Sequence, residues 1–120
     1  MEKCLQIYSY SVCNSCRKAI KWLKENNVNY QLLDIVEETP SKEILDKALN
    51  QFGDRKKLIN TNGISYRSLG AGYFKSLSDS QIIGELVKDG KLIKRPFVIT
   101  TSGYILLGFK EVDWSEKILS

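Results

Sequence analysis

Cys13 and Cys16 form a C-x-x-C pair within the segment YSVCNSCRKAIKWL, residues 10–23. Two thiols at this spacing can form a redox site, supply half of a metal site, or fill two small core positions. Cysteine is a nucleophile only as the thiolate, and free cysteine is mostly protonated at neutral pH. The chemistry of the pair therefore depends on the elements that position the two sulfur atoms.

A strand followed directly by a helix is predicted around the pair. Leu5 and Ile7 alternate with a polar residue within residues 3–10, which indicates a strand. The i, i+3, i+4, i+7 spacing of a helix face is then followed by Cys16, Ala19, Ile20 and Leu23. Cys13 stands just ahead of this helix, where unpaired N–H groups and the positive dipole end stabilise an anionic sulfur.

This arrangement predicts different roles for the two cysteines. Cys13 is the exposed nucleophile, and Arg17 and Lys18 add positive potential beside it. Cys16 lies one turn later on the same side, close enough to attack a mixed disulfide on Cys13, and its burial raises its pKa. A C-x-x-C pair that follows a strand and opens the helix of a βαβ unit is typical of a redox site.

The alternatives to a redox site are a metal site and a core position. The sequence contains no histidine and three cysteines, so one chain cannot build a closed zinc site of four thiolates or a histidine-ligated one. Burial of both cysteines as small core residues remains the main alternative. Cys4, on the first predicted strand, is predicted to fill such a core position.

Composition and charge fit a globular protein of ordinary type. The 120 residues suffice for one domain with a real core; 42% of them are apolar and 27% charged. The net charge of +4 is mild and spread along the chain, so it does not indicate direct nucleic-acid binding. No apolar run is long enough to cross a bilayer or to resemble a signal peptide, which predicts a cytoplasmic protein.

The remainder of the chain predicts a second strand, several helices, a hairpin and a closing helix. Residues 28–36 read as a largely buried strand, after which Thr39 caps a helix with Pro40 in its first turn. Ser78 and Gln81 form a capping-box pattern, and Gly90 is predicted to stop that helix. The other predicted elements are short helices in 54–60 and 64–70, strands at 97–100 and 104–107, and a last helix carrying Val112, Trp114, Ile118 and Leu119.

The element order is β-α-β, then helices, then β-β-α. The first unit favours a parallel strand pair with a right-handed crossover, and the hairpin adds antiparallel strands. The fold class predicted is therefore α/β, with a mixed four-stranded sheet and helices packed on it.

The segment LIKRPFVI, residues 92–99, leaves two interpretations open. Pro96 opens an apolar strand, and a proline in a sheet is confined to an edge, a bulge or the first strand residue. In one interpretation Lys94 and Arg95 are solvated residues of an entry turn. In the other, Arg95 approaches the Cys13 thiolate and binds an oxyanion or a carboxylate with its planar guanidinium.

Taken together, YSVCNSCRKAIKWLKENNVNY, LINTNGISYRSLG, KRPFVI and LLGFKEVDW resemble the ArsC/Spx/MgsR family, arsenate-reductase-like proteins of the thioredoxin superfamily. The resemblance covers essentially the whole chain, in order. It implies a single thioredoxin-like domain over residues 1–120, with a helical insertion at about 39–91 between the β-α-β and β-β-α halves. It also implies that Pro96 is cis and faces the cysteine turn.

Within that family, the resemblance to glutaredoxin-coupled arsenate reductases implies that Cys13 occupies the position that attacks arsenate. Of the three arginines that bind the oxyanion there, only Arg95 has a match. The other two positions fall at about Asn60 and at Gly108 or Phe109, and the position of Cys16 is normally not cysteine. Because charge-assisted contacts to an oxyanion are the strong ones, these departures argue against arsenate reduction by that mechanism.

The expected function is a thiol–disulfide oxidoreductase in which Cys13 attacks, Cys16 resolves and Arg95 holds the anion. The resemblance implies no bound cofactor or metal, and electron donors such as glutathione with glutaredoxin, or thioredoxin. The alternative is an Spx/MgsR-type redox-sensing regulator that binds the RNA polymerase α subunit, although the loop FGDRKK is basic where that of Spx is acidic. We expect a monomer that contacts neither nucleic acid nor membrane.

Overall fold

The computed structural model describes residues 4–119, which form a four-stranded sheet and several helices. The elements run in the order β1 (Leu5–Ser9), α1 (Asn14–Glu25), β2 (Tyr30–Asp34), α2 (Lys42–Phe52), α3 (Ile64–Leu69), α4 (Ala71–Ser76), α5 (Asp79–Lys88), β3 (Phe97–Ile99), β4 (Ile105–Leu107) and α6 (Glu111–Trp114). Two 3-10 helices, Arg55–Leu58 and Gly90–Leu92, and a π-helical segment, Ser115–Leu119, complete the order. Across residues 4–119, no helix is long and apolar enough to cross a membrane.

The sheet has the strand order β2-β1-β3-β4 and mixes parallel with antiparallel pairs. β1 lies parallel to β2, with Ile7 opposite Leu32, and antiparallel to β3, with Ile7 opposite Val98. β3 and β4 form an antiparallel pair in which Val98 faces Leu106. A parallel pair needs a crossover connection, which α1 supplies. The predicted α/β class with a mixed four-stranded sheet is therefore confirmed.

The chain divides into two compact units. One is formed by the described parts of Met1–Asp34 and Arg95–Ser120 and carries all four strands, α1 and α6. The other, Ile35–Lys94, carries α2 to α5 and falls where the helical insertion is predicted. That residues 1–120 act as one domain stays a prediction.

Two tryptophans pack together in the core of the sheet-bearing unit. The indole rings of Trp22 and Trp114 meet edge to face, with centroids 5.8 Å apart. Trp114 also donates from Nε1 to the carbonyl of Gly108 over 3.1 Å, so its polar atom is satisfied although the residue is 1% exposed. The buried members of this core are Leu5, Ile7, Ala19, Trp22, Leu23, Val98, Leu106 and Trp114. Helix α1 is thereby held firmly on the sheet.

In the helical unit, Arg55 joins three segments of chain. Its guanidinium donates to the carbonyls of Phe74 and Leu77 and lies 2.9 Å from a carboxylate oxygen of Asp79. The arginine thereby satisfies carbonyls at the end of α4 while pairing with the first residue of α5. Arg55 belongs to the basic loop FGDRKK. Because its guanidinium is used in these internal contacts, the positive charge of that loop that faces a partner comes from the other basic residues of the loop.

The prediction for the second strand is wrong in length and burial. β2 covers Tyr30–Asp34 rather than 28–36, and within it only Leu33 is buried. Leu32 is 54% exposed. The physical reason is the strand order, because β2 lies at the edge of the sheet and pairs with β1 alone.

The predicted start of the second helix is also wrong, whereas the predicted stop at Gly90 is confirmed in position. Helix α2 is capped by Ser41, whose side chain accepts from the amide of Ile44, whereas the Thr39 hydroxyl donates back to the carbonyl of Ile35 over 2.9 Å. Helix α5 ends at Lys88 with Asp89 as its C-cap, so it stops directly before Gly90, as predicted. Gly90 is also buried, and a Cβ there would lie 2.0 Å from the Ile35 carbonyl oxygen. Close backbone approach therefore requires a glycine at this position.

Several side chains predicted to be buried are exposed. In the predicted last helix, Val112 is 79% exposed and Leu119 is 48% exposed, so fewer of its apolar side chains are buried than predicted. Cys4 lies just ahead of β1 and is exposed, so the prediction of a core position for it is wrong. Helix α4 has no counterpart among the sequence-based predictions.

Candidate functional site

A tight turn between β1 and α1 positions the first cysteine. The amide of Cys13 donates to the carbonyl of Tyr10 over 3.1 Å, and the amide of Arg17 donates to the carbonyl of Cys13 over 3.2 Å. Cys13 has extended backbone angles, φ −102° and ψ 113°, and is the N-cap of α1. The predicted place of Cys13 at the start of the helix is thus confirmed.

The sulfur of Cys13 is the acceptor that caps α1, whereas a side-chain oxygen is the acceptor in most helix caps. It accepts a hydrogen bond from the amide of Cys16 over 3.2 Å. Both thiols are free, and Cys13 is partly exposed while Cys16 is buried. The Cys13 sulfur is thus held at the start of α1 and remains partly open to solvent.

Cys16 lies in a very different environment from its partner. It is 1% exposed, and burial, the largest cause, raises the pKa of its thiol to about 12. A hydrogen bond with the Cys13 side chain and the Cys13 charge raise this pKa further. A backbone hydrogen bond with Tyr10 and the charge of Arg95 act in the opposite direction. The resting state of Cys16 is therefore the neutral thiol.

Arg95 lies beside the cysteine turn. Its guanidinium carbon is 4.9 Å from the centroid of the Tyr10 ring, and its charge acts on the Cys16 thiol. The Arg95–Pro96 peptide bond is cis, as the resemblance implies, and β3 begins at the next residue. Pairing of Phe97 with Tyr8 of β1 fixes this position. The structure thus places Arg95 near Tyr10 and Cys16. That Arg95 approaches the Cys13 sulfur and binds an anion there, as the second interpretation of the segment 92–99 expects, stays a prediction.

Arg17 is held close to the same turn. Its guanidinium donates to Oδ1 of Asn14 over 3.2 Å and to the carbonyl of Ser11 over 3.3 Å. These bonds keep its charge near the start of α1. Lys18, predicted to add further potential, is exposed.

Two neighbouring residues were not singled out by the sequence motif. Tyr10 contacts Arg95 through its ring, and Val12, next to Cys13, is 69% exposed. Val12 thus places an exposed apolar side chain next to the predicted nucleophile. In the sequence, only the position of Tyr10 and Val12 between the predicted strand and Cys13 could have indicated that they lie at the site.

Gly108 and Phe109, where the resemblance expects an arginine, have structural roles. Gly108 adopts φ +73° and donates its amide to the carbonyl of Pro96 over 2.9 Å. The ring of Phe109 packs edge to face on Trp114, with centroids 4.9 Å apart. Neither residue supplies a cation, and Asn60 belongs to the other compact unit. In residues 4–119, no cluster of three or more metal-ligating side chains occurs.

The sequence also matches a known family over most of its length. The family model described as "ArsC family" matches residues 8–117. The chain belongs to the ArsC family. YusI of Bacillus subtilis (strain 168) is 40% identical over 116 residues, which cover 94% of this chain and 97% of YusI. Regulatory protein MgsR of the same organism is 25% identical over 107 residues, covering 88% of this chain and 84% of MgsR.

Solved ArsC family structures share the fold. A protein described as "a possible arsenate reductase" from Streptococcus mutans UA159 superposes with a TM-score of 0.85. It is 32% identical, and the match covers 95% of this chain and 99% of that one. The predicted thioredoxin-like fold and the resemblance to the ArsC/Spx/MgsR family are both confirmed.

Proposed function

We propose that this ArsC family protein is a thiol–disulfide oxidoreductase that uses Cys13 and Cys16 as its redox pair. One observation carries the proposal: the partly exposed Cys13 sulfur caps α1 and accepts the amide of a buried Cys16. The two thiols therefore have unequal access to a substrate, and burial raises the pKa of the Cys16 thiol. Attack by the accessible sulfur followed by resolution by the buried one needs such a difference in access.

In the first step the Cys13 thiolate attacks one sulfur of a substrate disulfide. The substrate S–S bond breaks, a mixed disulfide forms on Cys13, and the other half of the substrate leaves as a thiolate. Arg95 and the amide groups at the start of α1 attract anionic groups of the substrate to this side of the turn.

In the second step Cys16 loses its proton to solvent and attacks the Cys13 sulfur. The remaining half of the substrate leaves as a thiolate, and a Cys13–Cys16 disulfide forms, so the substrate gains two electrons and the pair loses two. Two of the causes that raise the Cys16 pKa involve Cys13, and the charge-related one disappears once Cys13 is in a neutral mixed disulfide. Formation of the mixed disulfide therefore makes Cys16 easier to deprotonate for the second step.

A reducing thiol must then return the pair to its starting state. Glutathione with glutaredoxin, or thioredoxin, is the electron donor we propose, in the cytoplasm and with no bound cofactor or metal. A thiol of the donor forms a mixed disulfide with one cysteine and releases the other as a thiol. A second thiol of the donor then attacks that mixed disulfide, so both cysteines are again thiols and the donor leaves as a disulfide. We further propose a monomer of one domain that contacts neither nucleic acid nor membrane.

The proposal is tested by trapping the intermediate. Reduced wild-type protein, Cys13→Ser and Cys16→Ser are mixed with a peptide disulfide and examined by intact-mass spectrometry, all in a Cys4→Ser background. We expect an internal disulfide in the wild type, a stable mixed disulfide in Cys16→Ser and no adduct in Cys13→Ser. An adduct on Cys16 in the Cys13→Ser protein at the wild-type rate would contradict the roles proposed.

Arsenate is a poor candidate substrate for this site. Its reduction in the related reductases relies on three arginines, of which only Arg95 has a match here. An assay with glutathione plus glutaredoxin, and separately with thioredoxin, tests the point. We expect no turnover above the Cys13→Ser control. Turnover that requires Cys13 but not Cys16 would instead favour the glutaredoxin-coupled mechanism.

A redox-sensing regulator of the Spx/MgsR type is the second candidate function. The identity of 25% to regulatory protein MgsR favours it, together with the C-x-x-C pair. In this candidate the Cys13–Cys16 disulfide controls binding to the RNA polymerase α subunit. The basic residues Lys56 and Lys57, both exposed, weigh against it, because a reversed charge at an interface rejects a partner.

Binding to the α subunit separates the two candidates. Purified C-terminal domain of α is tested against the reduced and the oxidised protein by a pull-down and by calorimetry. Binding in only one redox state supports the regulator. Cys13→Ser cannot form the disulfide, so it should lose binding that needs the oxidised state and keep binding that needs the reduced state under oxidising conditions. Absence of binding in both states removes it and leaves the oxidoreductase.

A further inference from the structure

Tyr10 is the residue of the turn that contacts all three groups of the proposed redox site. Its carbonyl accepts the amide of Cys13 over 3.1 Å, and its backbone also forms a hydrogen bond with the Cys16 thiol. Its ring lies under the guanidinium of Arg95, 4.9 Å from the guanidinium carbon to the ring centroid. The backbone of one residue is thus tied to both cysteines while its side chain contacts the arginine.

The distance and the partner both fit a cation–π contact. A guanidinium within about 6 Å of a tyrosine ring centroid is attracted by the electron-rich ring face. Tyr10 and Arg95 are each partly buried, so water screens this attraction less than at an open surface. Arginine is otherwise a flexible side chain with several rotatable bonds, and an aromatic platform restricts where its charge lies.

We propose that Tyr10 is a positioning residue, whose ring holds Arg95 where its charge meets the anionic group of a substrate attacked by Cys13. The inference rests on the proposed function. The substrates it selects are disulfides with a carboxylate or a similar anion near the reactive sulfur. The rate of reaction with a neutral disulfide is not raised by the arginine and depends only on access to Cys13.

Charge selectivity separates this role from a structural one. A variant that merely loosens the turn changes the rate with every disulfide, whereas loss of a positioned charge changes only the rate with anionic disulfides. Two probes differ in this respect: dithiobis(nitrobenzoate) carries carboxylates, and dithiodipyridine is neutral. Each reacts with reduced Cys13 by breaking its own S–S bond, forming a mixed disulfide and releasing a coloured thiol that reports the rate.

The experiment compares the ratio of the two second-order rate constants, anionic over neutral, in a Cys4→Ser background because Cys4 is exposed. Arg95→Gln is expected to lower this ratio by about fivefold. Tyr10→Leu is expected to lower it by a similar factor, and Tyr10→Phe, which keeps the ring, to stay within about twofold of the parent. Tyr10→Met serves as a second ring-free variant if Tyr10→Leu does not fold.

The double variant Tyr10→Leu with Arg95→Gln shows whether the two residues act together. If Tyr10 acts through Arg95, the ratio falls no further than in Arg95→Gln alone. A further fall of the same size overturns the inference, because Tyr10 then acts independently of the arginine. The inference is also overturned if Tyr10→Leu and Tyr10→Met both show the same ratio of rate constants as the parent protein.

The outcome for Arg95→Gln distinguishes this failure from failure of the proposed anion-binding role. If Arg95→Gln lowers the ratio and the ring-free variants do not, Arg95 binds the anion without help from Tyr10, and only the inference is wrong. If Arg95→Gln leaves the ratio unchanged, the role given to Arg95 in the proposed function is wrong, and the inference falls with it.

Discussion

The amide of Cys16 donates a hydrogen bond to the sulfur of Cys13 over 3.2 Å. The same sulfur is therefore both the cap of α1 and the group proposed to attack the substrate. Forming the Cys13–Cys16 disulfide would therefore change the group that caps the helix.

Substitution of Cys13 is expected to separate capping from chemistry. Cys13→Ser places a strong N-cap residue at the same position, so the free energy of unfolding should stay within about 0.5 kcal/mol of the wild type. Cys13→Ala removes the acceptor and should lower that free energy by about 1 kcal/mol. Urea unfolding of the reduced proteins measures both. Equal stability of the two variants would show that the sulfur does not act as a cap.

Stability at high pH is expected to depend on Cys16. Its pKa is raised from the ordinary 9.0 to about 12, mainly by burial, so the folded state keeps a proton that the unfolded chain releases. This contribution to stability is fully present below pH 9 and is lost as the pH rises towards 12. We expect the wild type to lose a few kcal/mol across this window relative to a variant without the thiol.

Cys16→Ala is the matched control for that measurement. Tyrosine and lysine residues also titrate above pH 9, but they do so in both proteins and cancel in the difference. Urea midpoints are compared from pH 8 upwards under reducing conditions. Parallel pH profiles for the wild type and Cys16→Ala would contradict the raised pKa.

The capping box of α5 offers a test outside the redox site. The amide of Gln81 donates to Oγ of Ser78 over 3.2 Å, and the amide of Ser78 donates to Oε1 of Gln81 over 2.8 Å. Ser78→Ala should lower the free energy of unfolding by about 1 kcal/mol because one helical amide loses its acceptor. Ser80→Ala, two residues later on the same helix, should leave it unchanged or slightly raised. Equal effects of the two substitutions in thermal unfolding would show that the box is not stabilising.

Features set by a few neighbouring residues could be predicted from the sequence. The capping box at Ser78 and Gln81 depends only on spacing, and so does the position of Cys13 between a strand and an amphipathic helix. The hairpin of β3 and β4 follows from two apolar runs joined by a short polar segment. In each case the stabilising partner lies within a few residues along the chain.

Features set by distant residues could not be predicted in the same way. Residues 28–36 look buried because they are apolar, but the strand order leaves β2 at an edge. Thr39 and Ser41 are both acceptable caps, and the carbonyl of Ile35, which binds the Thr39 hydroxyl, decides between them. The contact of the Tyr10 ring with Arg95 joins residues far apart in sequence, which no local pattern reveals.

Gly90 and Gly84 give opposite predictions for the same substitution. A Cβ at Gly90 would lie 2.0 Å from the carbonyl oxygen of Ile35, a backbone atom that cannot rotate away. Gly90→Ala should therefore force the two chain segments apart and lower the free energy of unfolding by about 2 kcal/mol or more. A Cβ at Gly84, inside α5, would meet no atom within 4 Å.

Gly84→Ala should instead raise the free energy of unfolding by about 0.5–1 kcal/mol, because alanine favours the helix and restricts the unfolded chain. Urea unfolding of the two variants beside the wild type measures the difference in sign. A stabilising Gly90→Ala would mean that the segment containing Gly90 does not approach Ile35 as closely as the structure shows. The redox chemistry should survive both substitutions where the protein folds, because Gly84 and Gly90 belong to the helical unit and the redox pair to the sheet-bearing one.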